Sequence, residues 1–265
     1  MPREKEGRVL LQGSGFYMHY YGELVQDKTP LLFVHSTGGS GIMWLQQLRN
    51  LSPDFSALAI DLPGHRFSEG QPATRVKPNA GYLQDFVTSL NLPPFVLIGH
   101  SFGGAVAVTY ALRYPAQLQA LILISTGGAL QKAPKLREIL RQGNYATLNR
   151  YAYGPGAGQE LLAKGERMFR SVPCQVFHAD LEACEHYDAR QQLKQIRLPT
   201  LVICGKQDRI TPPRLSRFMA EQIGGAKLCL LDNCGHMPIL EQPTVVNEKI
   251  RCFVRLVQKK AAGKK

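Results

Sequence analysis

Six short apolar runs recur along the chain, at 31–36, 55–61, 95–100, 120–126, 200–205 and 226–232. None alternates strictly between polar and apolar positions, a pattern expected of strands covered on both faces and hence of a parallel sheet. Longer amphipathic stretches lie between them, such as 103–113 and 213–223, and read as helices. Strand and helix in alternation predict an α/β fold. Ahead of the first run, 9–12 and 16–21 flank Gly13-Ser14-Gly15. That arrangement predicts a hairpin, which gives the sheet one antiparallel edge.

The rhythm breaks after the fourth run. From 127 to 198 no buried-strand pattern occurs; instead 133–142, 144–151, 159–171 and 180–195 read as helices. Tyr145, Tyr151, Tyr153, Phe169 and Phe177 fall in this region. A structureless connection of that length is uncommon inside a compact domain. The segment therefore reads as a helical cap, 128–198, inserted into a core made of 1–127 and 199–265. The plainer alternative is one long crossover.

Composition narrows the class without naming a reaction. A chain of 265 residues can build one domain with an insertion. Its 44% apolar and 20% charged residues are those of a globular protein. No apolar stretch reaches the roughly 18 residues that spanning a bilayer needs. The charged segment 1–7 lacks the apolar core of a secretory signal. A cytoplasmic protein with no membrane partner is expected. The six cysteines form no close CxxC pair, which argues against a zinc or redox site. Cys204 and Cys229 lie in apolar runs and read as small buried hydrophobes. The net charge of +12 raises nucleic-acid binding as a possibility. Yet Lys259, Lys260, Lys264 and Lys265 read as a solvated tail, and no aromatic-and-basic recognition motif accompanies them. No nucleic-acid partner is expected.

The strongest chemical signal is Gly99-His100-Ser101-Phe102-Gly103, a match to G-x-S-x-G. The bare pattern is weak, but an apolar strand, Phe95-Val96-Leu97-Ile98, precedes it and a helical stretch follows. That strand–turn–helix setting is what a nucleophile elbow requires. Ser101 must sit on a tight turn to lift its hydroxyl above the sheet, and Gly99, Gly103 and Gly104 relieve the crowding. The helix behind it offers free N–H groups and a positive dipole end.

A serine needs a base. Of seven histidines, His236 is the best candidate, because it sits in the loop after the last strand run, where parallel sheets build their sites. His100 is pinned beside the nucleophile and is expected to point elsewhere. His35 and His65 also follow strands and are candidate site-lining groups. The acid that orients the base is assigned to Asp208, just after 200–205. Asp232 is the alternative, read as a turn residue, and Asp61 reads as a brace for Leu62-Pro63-Gly64-His65. The order Ser101, Asp208, His236 is the Ser…Asp…His order of a known triad arrangement. An oxyanion hole needs two donors. The N–H of Phe102 supplies one. The loop His35-Ser36-Thr37-Gly38-Gly39-Ser40-Gly41 supplies the other, assigned to Thr37. This glycine-rich loop lacks the G-K-[ST] ending of a phosphate-binding loop.

The chain resembles the α/β-hydrolase superfamily along nearly its whole length. The resemblance rests on five segments: the His35–Gly39 loop, Asp61-Leu62-Pro63-Gly64-His65, Gly99–Gly104, Gly205–Asp208 with Thr211-Pro212, and Gly235-His236. It implies a mostly parallel eight-stranded sheet flanked by helices, with a helical cap after the sixth strand. It also implies hydrolysis through an acyl-enzyme, with no metal and no cofactor. Two positions depart from the family. Ser36 stands where His-Gly is usual, and Arg66 occupies a glycine position in Gly64-His65-Arg66-Phe67-Ser68. Ser36 and Met237 are the candidate substrate contacts. The expected activity is cleavage of small to medium carboxylic esters, with a small-molecule ester as the partner. The alternatives are carbon–carbon bond or lactone hydrolysis on the same triad, and a slow-turnover receptor of the same fold. Monomer and homodimer both stay open.

Overall fold

The computed structural model describes residues 5–130 and 134–263. Every apolar run is a strand of one sheet. In chain order the strands are β1 (Glu6–Leu10), β2 (Tyr17–Gly22), β3 (Pro30–Val34), β4 (Ser56–Ile60), β5 (Phe95–His100), β6 (Leu118–Ile124), β7 (Thr200–Gly205) and β8 (Lys227–Leu231). Their spatial order is β1-β2-β4-β3-β5-β6-β7-β8. The first hairpin pairs antiparallel with β4, and every later pairing is parallel.

The continuous apolar runs have a simple cause. Successive residues of a strand point to opposite faces, and here both faces are covered. Leu32, Val34, Leu97, Leu121 and Val202 join one cluster, whereas Leu31, Phe33, Val96, Ile122 and Ile203 join the other. The first layer is closed by α2 (Val76–Ser89), α3 (Phe102–Arg113) and α8 (Pro213–Gln222). The second is closed by α1 (Leu45–Leu51) and α10 (Pro243–Ala262). The edge strands β1 and β8 are the exposed ones, and their burial falls away accordingly.

Between β6 and β7 the described chain forms α4 (Pro134–Arg141), α5 (Tyr145–Ala152), α6 (Gln159–Arg170) and α7 (Cys174–Glu185). A short α9 (Pro238–Glu241) follows the loop after β8. Ala133, the expected start of the first of these helices, lies outside the described residues. The expected helix 180–195 is corrected: α7 begins at Cys174 after Pro173 and stops at Glu185. Beyond it the chain extends, because Asp188 bridges to Ala129 and the Ala189 N–H donates to the Gly128 carbonyl at 2.7 Å. Tyr187, Ala189 and Leu193 are thereby buried in the first core layer.

Two smaller expectations also change. Lys259 and Lys260 lie in the last turn of α10 rather than in a tail, while Lys264 and Lys265 lie outside the described residues. Cys204 is buried, but Cys229, on the edge strand, is only partly so. Among the described residues, no helix is long and apolar enough to cross a membrane.

Candidate active site

Four loops meet at the carboxyl ends of β3, β5, β7 and β8, the position where open parallel sheets form their crevices. The turn from β5 into α3 carries Ser101 at φ 53°, ψ −115°. A non-glycine residue in such a region costs about 1–3 kcal/mol and persists only where its surroundings enforce it. The enforcement is visible. The Ser101 N–H donates to the Ile124 carbonyl at 2.9 Å, and its own carbonyl accepts from Thr126 Oγ1 at 2.8 Å and from the Gly104 N–H at 2.9 Å. A Cβ on Gly99 would collide with the Gly103 backbone, and one on Gly103 would collide with the carbonyls of Val34 and His35. The close approach of α3 to β3 and β5 therefore depends on both glycines.

The structure brings Asp208 and His236 together. Asp208 Oδ2 lies 2.9 Å and Oδ1 3.1 Å from His236 Nδ1. Asp208 is fixed by three further donors: the N–H groups of Ile210 and Thr211 to Oδ1, at 2.9 and 2.8 Å, and the Thr211 hydroxyl to Oδ2 at 2.7 Å. Burial alone would raise the pKa of Asp208. Its attraction to the His236 ring, with the hydrogen bonds from His236 and Thr211, prevails and holds it below the usual carboxylate value. Thr211, three residues after Asp208 in the Thr211-Pro212 segment, is a brace that no local sequence pattern marks. Asp232 lies elsewhere, exposed and paired with Lys206 at 2.7 Å.

The loop carrying His236 is tied to the helices above it. The His236 N–H donates to the Ala152 carbonyl at the end of α5, at 2.8 Å. Glu241 accepts from the N–H groups of Gly154, Gly235 and Met237 at 2.7 to 3.0 Å. His100 turns away from the serine, as its position suggested. Its Nε2 donates to the His236 carbonyl at 2.7 Å, and burial with the neighbouring His236 lowers its pKa to about 3.

In the loop after β3, the Gly38 N–H donates to Asp180 and the Gly39 N–H to the Ser36 carbonyl. The Thr37 N–H has no acceptor among the described residues, and that of Phe102, the first residue of α3, has no intrahelical one. Among the described residues, the predicted pair of N–H donors thus has no hydrogen-bond acceptor. The Asp61 carboxylate braces this loop rather than its own, accepting from the Gly41 N–H at 2.6 Å and pairing with His19 Nδ1 at 3.0 Å, while its main-chain carbonyl accepts the Ser68 hydroxyl at 2.6 Å. Arg66 adopts φ 46°, the left-handed geometry that a glycine would take without strain, and its Nε donates to the Tyr21 hydroxyl.

Ser36, Thr37, Ser101, Thr211, His236 and Met237 all line one cavity of about 270 Å³. Its remaining wall is mostly apolar and comes largely from α4 to α7, including Ile139, Leu140, Leu148, Phe169, Phe177 and Leu181. Lys135 and Arg209 also reach it. The Ser36 hydroxyl faces the Met43 sulfur at 3.7 Å. His35 and His65 are corrected as site-lining groups. Both are buried behind the loop, out of the cavity wall. Among the described residues, no group of three or more His, Cys, Asp or Glu is arranged to hold a metal ion.

The chain is similar to known proteins in sequence and in fold. The alpha/beta hydrolase fold model matches residues 29–243. The pimeloyl-[acyl-carrier protein] methyl ester esterase of Nitrosospira multiformis is 31% identical over 258 residues, covering 89% of this chain and 98% of that protein. Human monoacylglycerol lipase ABHD6 is 25% identical, covering 90% of this chain and 79% of its own length. A solved thermophilic esterase from Thermogutta terrifontis superposes with a TM-score of 0.84 at 25% identity, over 96% of this chain and 99% of the other.

Proposed function

The chain belongs to the alpha/beta hydrolase fold family, and on that premise we propose that it is a serine hydrolase that cleaves small to medium carboxylic esters through an acyl-enzyme. One observation carries the reading. Ser101, on its strained elbow, and His236, oriented by Asp208, open onto the same largely apolar cavity.

The steps follow from the groups present. Asp208 accepts the Nδ1–H of His236, which leaves Nε2 as the basic nitrogen. His236 takes the Ser101 proton as Oγ bonds to the ester carbonyl carbon, and the carbonyl oxygen becomes an oxyanion. The Thr37 and Phe102 N–H groups receive that charge. Collapse expels the alcohol, which His236 protonates. Water, deprotonated by the same ring, then releases the acid and restores Ser101. Asp208 stays ionised throughout, consistent with its lowered pKa.

We read 128–198 as a cap over a core of 1–127 and 199–265. Its contribution to the cavity wall and its ties to the His236 loop support that division. The cap side chains surround the acyl or alcohol group, with Ser36 and Met237 as polar and apolar contacts close to the reacting carbonyl. The test is a substrate panel of p-nitrophenyl esters of rising acyl length, with a lactone and a vinylogous diketone. We expect turnover of the short and medium esters and a loss of about 10³-fold or more in Ser101→Ala. Ester hydrolysis retained by Ser101→Ala overturns the reading. Preference for the lactone or diketone moves the substrate class while keeping the nucleophile.

A further inference from the structure

The cavity is held to the core by a buried contact between an aspartate and a histidine that the proposed reaction does not itself use. Asp180, on α7, is 1% exposed. Its Oδ2 accepts the Gly38 N–H at 2.8 Å and lies 3.0 Å from His65 Nε2. On the other side of the ring, His65 Nδ1 lies 3.0 Å from the Pro63 carbonyl oxygen. Both ring nitrogens therefore face oxygens that accept. A neutral imidazole carries one N–H and can serve only one of them; an imidazolium serves both.

The adjacent ring has the opposite pattern. His35 Nδ1 donates to the Ser36 carbonyl at 2.9 Å, while its Nε2 accepts the Leu62 N–H at 3.0 Å, so His35 is neutral. The two rings stand 4.7 Å apart. Burial, reinforced by the charge on His65, holds His35 well below its ordinary pKa. At His65 burial also opposes the charge, but Asp180, the Pro63 carbonyl and Asp61 outweigh it and its pKa is raised. His100 also acts on His35, further disfavouring its charge, and Cys184, one turn along α7, stands beside Asp180 with its thiol pushed up to about 12 by burial and so kept neutral.

The same face of α7 covers the loop after β3. Phe177 packs where a Cβ on Gly38 would stand, and Cys184 Sγ lies 3.8 Å from the Thr37 hydroxyl. Residues 177, 180, 181 and 184 follow helical spacing, so one helix face supplies both cavity wall and anchor. Gly38, at φ 61°, is the peptide next to Thr37.

We propose that Asp180 is a positioning residue: paired with an imidazolium at His65, its carboxylate holds the Gly38 peptide so that the Thr37 N–H points at the developing oxyanion. The inference rests on the assignment of Thr37 as an oxyanion donor. It makes seating of α7 a condition for assembling the oxyanion hole. An oxyanion contact acts in the transition state rather than in substrate binding, so its misalignment falls on kcat.

Two measurements test this. Nitrogen-15 NMR of histidine-labelled full-length protein reads the His65 ring directly. We expect both ring nitrogens predominantly protonated at pH 6.5, and the alkaline fall of kcat on p-nitrophenyl butyrate to follow the loss of that proton while KM stays flat. Asp180→Asn keeps an acceptor for Gly38 but removes the charge. It is expected to lower kcat about tenfold or more with KM within about twofold, and to leave His65 neutral. A neutral His65 ring in the wild type, or a kcat indifferent to its titration, overturns the inference whether or not the variant folds. A folded Asp180→Asn with unchanged kcat does so too. The ring charge is read without turnover, so a neutral ring refutes the pairing while leaving the Ser101 assignment standing. Ester hydrolysis by Ser101→Ala refutes that assignment and leaves the ring measurement unaffected.

Discussion

Asp208→Asn removes one charge and exchanges one oxygen for an NH₂ group, and the surroundings dictate how that group sits. Oδ1 accepts the N–H groups of Ile210 and Thr211, so the remaining amide oxygen belongs there. The NH₂ then replaces Oδ2, where it meets the Thr211 hydroxyl and His236 Nδ1. The Thr211 hydroxyl can rotate and accept. The NH₂ puts a donor where Nδ1–H had its 2.9 Å acceptor. Oδ1 and Thr211 Oγ1, each 3.1 Å away, are the more distant acceptors left, so the ring is driven toward the tautomer that accepts at Nδ1, carries its proton on Nε2 and offers no base to Ser101. The wrong tautomer cost about 10⁴-fold in kcat in the serine protease where this exchange is documented. That corresponds to about 5.4 kcal/mol of transition-state stabilisation. The fold should tolerate the change, since every donor but one keeps an acceptor. The assay is kcat and KM for p-nitrophenyl butyrate, with a urea melt of each protein. We expect kcat to fall by about 10³ to 10⁴, with KM little altered. A folded Asp208→Asn retaining a tenth of wild-type kcat would refute the tautomer argument and with it the role given to Asp208.

Three further outcomes are expected. Gly103→Ala puts a methyl group against the Val34 and His35 carbonyls; it should destabilise by about 1–3 kcal/mol, read as a lower thermal midpoint together with lost activity. Ile139, on the cavity wall, sets how much room an acyl chain has; Ile139→Trp should lower the kcat/KM ratio of octanoate to acetate esters by about tenfold or more. Stability should also fall with alkali. His65 has a raised pKa in the fold, so its contribution is complete below the unfolded value of about 6.5 and is lost as pH rises through the folded one. Urea melts between about pH 6.5 and 7.5, a unit below the value of about 8.5 at which exposed thiols ionise in the unfolded chain, should show this decline in the wild type and a flatter profile in His65→Gln.

The elements that could be read from the chain alone are those whose signal is local. The strands β3 to β7 are covered on both faces, so each is a continuous apolar run with ends in turn residues. The elbow is local as well, since strand, serine, glycines and helix are consecutive. Asp208 and His236 could be placed because each follows its own strand. The end of α7 could not. Charge and helix propensity continue past Glu185, and only the tertiary burial of Tyr187, Ala189 and Leu193 pulls the chain out of the helix. His35 and His65 differ from expectation for the same reason. Each follows a strand, where site-lining groups belong, yet their hydrogen bonds turn them behind the loop. The His65 partner, Asp180, stands 115 positions away. Five aromatic residues mark the cap in the sequence, but which side chains face inward depends on how four helices pack, and no single periodicity contains that.

The central claim is that Ser101 forms a covalent acyl-enzyme. Its most direct test is the intact mass of the protein, acid-quenched during turnover of a p-nitrophenyl ester and followed by peptide mapping. One acyl adduct per chain is expected, carried on Ser101. No adduct is expected in Ser101→Ala. Hydrolysis with an adduct on another residue, or an adduct that survives in Ser101→Ala, would contradict the claim.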